Sequence, residues 1–284
     1  MRQRTTGKPM FRDTNSDSSK NHYRSIFLSD IHLGTKGCQA DRLLQFLKQH
    51  TCDDLFLVGD IIDGWRMASS VNYWVQEHSN VLSEVLTHMK RGTQVTYVTG
   101  NHDEFMREHS PMAIGNLRVV DKHVHKTADG KDLLVVHGDQ FDVITRYHRW
   151  IAWLGDIGYT LLLEINRHLN RLRIKFGYGY WSLSAWIKYR VKQAVSYIGD
   201  FEEAVAHQCR RKKYDGVICG HIHNAEIRTI EGVLYMNCGD WVESCTALVE
   251  DSSGNFKIID WLHNPEVNNE NVFELPLEDE RLSA

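Results

Sequence analysis

The 284-residue chain has no Cys-x-x-Cys pair; its six cysteines, Cys38, Cys52, Cys209, Cys219, Cys238 and Cys245, stand apart. A chain of this length needs no disulfide staples, so a zinc knuckle is excluded and a reducing, cytoplasmic compartment is expected. No uninterrupted apolar run reaches the ~18 residues of a transmembrane helix, and the first 24 residues are polar with no signal-peptide hydrophobic stretch. The expectation is a chain that neither spans a membrane nor is exported by that route. Positive charge is not in excess either: 33 basic against 37 acidic residues leave −4, so the chain as a whole is no binder of long nucleic acid. Repeats, low-complexity segments and a clear serine or cysteine nucleophile motif are all missing. What remains, 42% hydrophobic and 25% charged, is the composition of a globular protein with enough chain to bury a sizeable core. One count is high: there are 16 histidines.

Residues 1–24 are mostly polar and predict a disordered arm, and residues 264–284 an acidic, weakly ordered tail. Between them (25–263) short apolar runs recur at Ser25–Ser29, Leu55–Val58, Val95–Thr99, Leu133–Val136, Gly216–Cys219 and Val233–Met236. Runs this short and continuous suit strands buried on both faces. Helical period separates several of them: Leu43, Leu44 and Leu47 share a face in 40–50, and Val81, Val85 and Met89 do so in 73–91, with Gly92 as the C-cap. The alternation predicts an α/β layered domain. Thr246–Trp261 reads as an antiparallel pair around the turn-forming segment Asp251–Asn255. Residues 143–200 have helical spacing and no strand signal, which predicts a helical insertion.

In α/β sheets ligands bind beyond the carboxyl ends of strands. Five apolar runs end there in D-I-H (Asp30, His32), G-D (Asp60), G-N-H-D (Asn101, His102, Asp103), H-G-D (His137, Asp139) and G-H-I-H (His221, His223). Any one alone is a common turn former; five in succession point to a metal centre. In D-x-H and H-x-H the two side chains point the same way while the backbone stays extended, so both can face one ion. By contrast His50, His78, His88, His109, His148, His168 and His207 read as solvated helix or loop residues.

The ordered set Asp30/His32, Asp60, Asn101/His102, His137, His221/His223 resembles the calcineurin-like metallophosphoesterases over residues 25–245. The resemblance implies an αββα two-sheet sandwich holding two divalent metal ions. It gives Asp30, His32, Asp60 and His223 to one ion and Asp60, Asn101, His137 and His221 to the other, with Asp60 bridging. Only a carboxylate has two oxygens able to hold ions ~3.5–4 Å apart. Two such ions with two aspartates leave about +2 in the site, which suits a phosphate or diphosphate, and metal-bound water replaces a nucleophilic side chain. Imidazole, carboxylate and amide ligands favour manganese, iron, cobalt or zinc, with manganese the expected occupant. By family analogy His102 faces substrate and protonates the leaving oxygen, and Asp103 holds its ring. Asp63 and Asp139 are expected either to hold the ligand side chains from behind or to cap the loops.

Residues 145–192 carry nine basic against two acidic side chains, +7 in all, and four of the eight tryptophans. Aromatic and basic residues on amphipathic helices suit an anionic membrane surface or a lipid substrate, though basic helices are as often merely solvated. This excursion, with LVGDIIDGW (Leu57–Trp65) and NCGDWVE (Asn237–Glu243), resembles the UDP-2,3-diacylglucosamine diphosphatases of lipid A synthesis. That branch has arginine where this chain has His102, so the chain resembles a side branch. The implied activity is hydrolysis of a lipid-linked sugar diphosphate to UMP and a lipid monophosphate, at the cytoplasmic face of the inner membrane as a peripheral protein. Arg149, Arg167 and Arg171 are the substrate-binding candidates. The competing expectations are a phosphodiesterase for soluble nucleotides or nucleic acid, and a non-catalytic scaffold; the complete set of seven ligands speaks against the last.

Overall fold

Alternate residues of the apolar runs face two different hydrophobic layers, and this period of two on both faces builds the architecture. In the computed structural model, which describes residues 21–67, 73–144, 198–199 and 201–263, Ile26, Leu28, Leu55 and Leu57 face one way and pack under helices. Their neighbours Phe27, Phe56 and Val58 face the other way, into a layer between two sheets. The elements are β1 (Asn21–Leu28), α1 (Ala40–Gln49), β2 (His50–Val58), α2 (Gly64–Met67), α3 (Gln76–Arg91), β3 (Gln94–Val98), β4 (Met112–Ile114), β5 (Leu117–Val120), β6 (His123–Lys126), β7 (Asp132–Val135), β8 (Gly216–Cys219), β9 (Glu226–Ile230), β10 (Val233–Asn237), β11 (Thr246–Glu250) and β12 (Phe256–Asp260).

The seven-stranded sheet runs β12-β11-β1-β2-β3-β5-β4 and the five-stranded sheet β6-β7-β8-β10-β9. Leu43, Phe46 and Leu47 of α1 and Val81 and Val85 of α3 cover the outer face of the first. Leu133, Val135, Ile218 and Met236 meet Phe27, Phe56 and Val98 between the sheets. Phe201, Val205 and Cys209, in the helix over 201–212, cover Leu134, Val217 and Tyr235 on the outer face of the second. The order is helix, sheet, sheet, helix: an αββα sandwich. Strands β1, β2 and β3 are mutually parallel, as are β7, β8 and β10, so within each sheet these carboxyl ends emerge on one side. The β11–β12 pair is antiparallel as expected, and Gly92 caps α3 in the left-handed region with φ 106°.

Two expectations need correction. Residues 21–24 are not part of an arm: Asn21, His22 and Tyr23 pair with His50, Thr51 and Cys52 in the sheet, and Tyr23 is buried. A polar strand end is stable there because the ladder satisfies its backbone. His50, His78 and His88 are buried rather than solvated. His88 Nε2 lies 2.9 Å from the Leu47 carbonyl, His50 Nδ1 lies 2.8 Å from that of Phe46, and His78 Nδ1 accepts from the Gly34 amide at 3.2 Å. Strands β4, β5, β6 and β9 carry none of the recurring apolar runs, since they are short and most of their residues are exposed or half-exposed. Most of the insertion over 143–200, with Arg149, Arg167, Arg171, His148 and His168, and the tail over 264–284 lie outside the described residues. Among those residues no helix is long and apolar enough to cross a membrane.

Away from the strand ends that carry the histidines, one carboxylate ties the sheets together. Glu250 of β11, fully buried, accepts from Arg24 Nη1 at 2.6 Å and Ser25 Oγ at 3.0 Å of the same sheet. From the other sheet come His125 Nε2 at 2.7 Å and the Ala128 amide at 2.8 Å. Burial opposes its ionisation, but the His125 and Ala128 contacts outweigh that and hold the carboxyl below its usual range. A depressed folded pKa stabilises above the unfolded pKa and is lost as pH falls. Glu250→Gln should therefore cost on the order of 1–3 kcal/mol at pH 7. The gap between variant and wild type in urea unfolding should narrow below about pH 4; an unchanged midpoint at pH 7 would show that the cluster does not hold the sheets.

Candidate metal centre

At the carboxyl ends the chain turns sharply. Asp30, His32, Asp60, His221 and His223 all have φ between 50° and 72°. Each left-handed non-glycine residue costs on the order of 1–3 kcal/mol unless its surroundings impose it, and Asp and His tolerate it better than most. The extended D-x-H and H-x-H geometry expected from the sequence is thus replaced by left-handed turns, and convergence comes from these turns rather than from strand alternation. Backbone bonds lace the loops together: Asp30 N to Gly59 O at 3.1 Å, His32 N to Asp60 O at 2.9 Å, Gly220 N to His137 O at 3.1 Å and Trp241 N to Asp30 O at 3.1 Å. Two glycines are required by close approach. A Cβ on Gly100 would collide with Asp60 Oδ1, and one on Gly220 with Asp30 Oδ2.

Six of the seven sequence-predicted ligands come together, all but Asn101. Asp30, His32 and His223 form one group whose ligand atoms lie within 4.8 Å of one another; Asp60, His137 and His221 form a second; His32, Asp60 and His102 form a third between them. Asp60 Oδ2 faces His137 Nε2 at 3.4 Å and His32 Nε2 and His102 Nε2 at 3.9 Å each. Its other oxygen, Oδ1, accepts the His102 amide at 2.8 Å. Oδ1 is thus engaged by the backbone, and Oδ2 is the oxygen that faces both groups of imidazoles. Asp30 divides its oxygens the same way, with Oδ2 accepting the His221 amide at 2.9 Å and Oδ1 lying 3.2 Å from His223 Nε2.

Three atoms test whether cations fit. Of the six buried side-chain polar atoms that close no hydrogen bond among the described residues, half are Asp30 Oδ1, Asn101 Oδ1 and His137 Nε2, the others lying on Glu202, Trp241 and Trp261. A buried polar atom left so costs ~1–3 kcal/mol, and the first three belong to the predicted ligand set. The electrostatics agree. Burial opposes ionisation of Asp60 and Asp30, yet the imidazoles of His137 and His223 outweigh it and hold both carboxyls below their usual range. Conversely, burial would lower His137 and His223, but Asp60 and Asp30 push them up to about 10 and about 9. Carboxylates that recruit protons onto their neighbours mark a cleft built around positive charge, and the donor set fits two divalent cations.

His102 stands at the rim, its side chain 26% exposed. Its Nδ1 lies 3.0 Å from Asp63 Oδ2. Asp103, expected to hold this ring, does not: its carboxylate accepts from Tyr97 Oη at 2.6 Å, the Gly100 amide at 2.5 Å and the Ile61 amide at 2.9 Å. It closes the G-N-H-D loop on itself, because it sits at the entry to the 3-10 turn over Glu104–His109 with its side chain folded back. Asp63 takes the ring, and its Oδ2 also lies 3.4 Å from His32 Nδ1. Both roles expected of Asp63 are filled, since its Oδ1 also caps the Arg66 amide at 2.9 Å. Burial pushes all six cysteine thiols up, so none supplies a thiolate near neutral pH.

Residues 23–225 match the profile of the family described as Calcineurin-like phosphoesterase. The chain is 26% identical over 173 residues to a UDP-2,3-diacylglucosamine hydrolase of Blochmanniella pennsylvanica, covering 60% of this chain and 62% of that protein. It is 25% identical over 117 residues to the Blochmanniella floridana protein of the same name, covering 40% and 46%. The chain thus spans about three fifths or less of the length of these relatives. Among solved structures, a hypothetical protein of Pyrococcus horikoshii superposes with TM-score 0.45 at 9% identity, covering 88% of this chain and 91% of that one. Vacuolar protein sorting 29 of Cryptosporidium parvum does so at 0.40 and 12%, covering 83% and 94%.

Asp60→Ala should lower metal content at both positions and abolish phosphoesterase activity, whereas His223→Ala should deplete one position more than the other. Elemental analysis of folded, dialysed protein checks this; full metal content in Asp60→Ala would remove Asp60 from the bridging position.

Proposed function

This chain belongs to the calcineurin-like phosphoesterase family, and from that premise we propose that it is a binuclear-metal phosphoesterase cleaving the diphosphate of a UDP-acylsugar, with UDP-2,3-diacylglucosamine giving UMP and a lipid monophosphate. The observation that supports the reading is the pair of Asp/His groups around Asp30 and Asp60, with buried, unbonded polar atoms on Asp30, Asn101 and His137. Asp30, His32, Asp60 and His223 would hold one divalent ion and Asp60, Asn101, His137 and His221 the other, manganese being the expected metal. When bound, such a pair supplies acidified water and positive charge for phosphate oxygens.

The chain's own residues do the rest. Asp60 and Asp30 hold the two groups of imidazoles at fixed spacing because each spends one oxygen on the backbone of a neighbouring loop. His102, with Nδ1 held by Asp63, turns Nε2 toward the cleft, 3.9 Å from Asp60 Oδ2. In the doubly protonated ring, Nδ1–H donates to Asp63 and Nε2–H is the proton that passes to the leaving oxygen. Support for an apolar substrate comes from the rim. Trp65 lies over His102 with ring centroids 4.1 Å apart, and Trp65, Met67 and Phe105 are 44%, 42% and 45% exposed. Large exposed apolar side chains grouped beside a polar cleft suit acyl chains or the boundary of a lipid surface better than a free nucleotide. The basic, tryptophan-rich segment over 145–192 and its Arg149, Arg167 and Arg171 supply anion-binding capacity in the same reading.

Manganese-loaded protein should release UMP from UDP-2,3-diacylglucosamine faster than it hydrolyses bis-p-nitrophenyl phosphate, a cyclic nucleotide or single-stranded DNA; the reverse order would favour the soluble phosphodiesterase. His102→Ala should lose about 10²–10⁴ in kcat with both metals retained. Asp63→Asn should fall in the same direction, and both losses should shrink with p-nitrophenyl esters, whose leaving group needs little protonation. An equal loss on poor and good leaving groups would make His102 an orienting group. Trp65→Ala should raise KM for the acylated substrate several-fold while leaving that for bis-p-nitrophenyl phosphate nearly unchanged; equal effects on both would detach the rim from substrate choice.

A further inference from the structure

The two loops that carry Asn101 and His137 belong to different sheets, since Asn101 follows β3 and His137 follows β7. Both residues fall to the same ion in the binuclear reading on which this inference rests. Nothing in either sheet's own ladder sets the distance between them. His137 Nδ1 lies 3.1 Å from the Val58 carbonyl of β2, in the sheet that carries Asn101, and among the described residues one side chain also ties the two loops to each other. Arg107, in the 3-10 turn over Glu104–His109, places Nη2 at 2.9 Å and 3.1 Å from the two carboxylate oxygens of Asp139, two residues beyond His137. The same nitrogen lies 3.4 Å from the Thr99 carbonyl, and Nε donates to Thr99 Oγ1 at 3.3 Å. Thr99 is buried, bonds Asp121 Oδ1 at 3.0 Å through its hydroxyl, and stands two residues before Asn101.

We propose that Arg107 is a positioning residue for the metal centre: by gripping Thr99 on one side and Asp139 on the other, it sets the separation of Asn101 and His137 and thereby the affinity of the ion they share. The chemistry suits the task. A guanidinium is planar, always charged and presents several donors in a fixed fork, so it can hold two loops at a defined spacing where a lysine would hold only one point. The pair is also sheltered, with the Asp139 side chain 10% exposed and that of Arg107 32%, so solvent screens it less than a surface ion pair. The ligands Asp30, His32 and His223 of the other ion do not touch this grip; they lie on the β1 and β8 loops, which Trp241 N and His221 N tie to Asp30. The effect of losing Arg107 should therefore be one-sided.

Calorimetric titration of metal-free protein with Mn2+ alone separates the alternatives. Wild type should bind two equivalents; if it does not, the binuclear reading fails and this inference with it. Given two, Arg107→Ala should weaken one equivalent by about 10–100-fold and leave the other within about twofold, the size usual for groups that orient metal ligands. Asp139→Ala should do the same, the double variant should lose no more than either single one, and Arg107→Lys should recover only part of the loss. In an Asn101→Ala background, Arg107→Ala should add little, because the ligand it places is already gone. The thermal unfolding temperature of the metal-free variants should stay close to that of wild type. Equal weakening of both equivalents, simple additivity of the two single losses, or a fall in unfolding temperature with both affinities unchanged would each overturn the proposal and leave Arg107 as an ordinary loop contact.

Discussion

The interaction on which the rest depends is the division of labour within two buried carboxylates. Asp30 and Asp60 each give one oxygen to the backbone amide of a loop from another strand, His221 N for Asp30 and His102 N for Asp60. The remaining oxygen of each then faces imidazoles. A carboxylate free to rotate could satisfy itself by local hydrogen bonds; one pinned by an amide cannot, and presents a fixed negative charge to the cleft. That charge explains the direction in which His137 and His223 are pushed. It also explains why Gly100 and Gly220 occur where they do, since any side chain there would occupy the space of a carboxylate oxygen.

A site assembled from two sheets needs both held in register at a tolerance finer than apolar packing alone secures. The layer of Phe27, Phe56, Val98, Leu133, Val135 and Ile218 supplies cohesion without direction. Direction comes from polar contacts that cross between the layers: His125 of the second sheet meets Glu250 of the first, and Arg107 meets Asp139 beside the metal ligands. An arginine takes part in each place, Arg24 of β1 reaching the Lys126 carbonyl at 2.7 Å and Arg107 reaching from the turn after β3 to the loop after β7. The left-handed backbone at five of the seven ligand residues is the cost of bringing loops from different strands to one point, and these bonds help to hold it.

Much of this was legible in the chain itself. Each ligand follows a buried apolar run, so the strand ends and their polar residues announce the cleft before any coordinates are known, and G-N-H-D and G-H-I-H carry the resemblance to the family. Other features depend on interactions that periodicity does not encode. His50, His78 and His88 read as polar positions of amphipathic helices, whereas backbone carbonyls and an amide buried beside them give each a partner. Residues 21–24 are mostly polar but extend β1 because a neighbouring strand supplies their hydrogen bonds, Tyr23 joins the core and Glu250 supplies a partner for Arg24. The exchange of roles between Asp63 and Asp103 turned on which way a side chain folds at the start of a short helix, which sequence spacing does not determine.

The central claim is that Asp60 stands between two cations, each completed by its own set of side chains. Anomalous diffraction from crystals of the full chain grown with Mn2+ tests it most directly. The account requires two manganese peaks that share Asp60 Oδ2, one also against Asp30, His32 and His223, the other against Asn101, His137 and His221. A single peak, or two peaks of which neither touches Asp60, would contradict it.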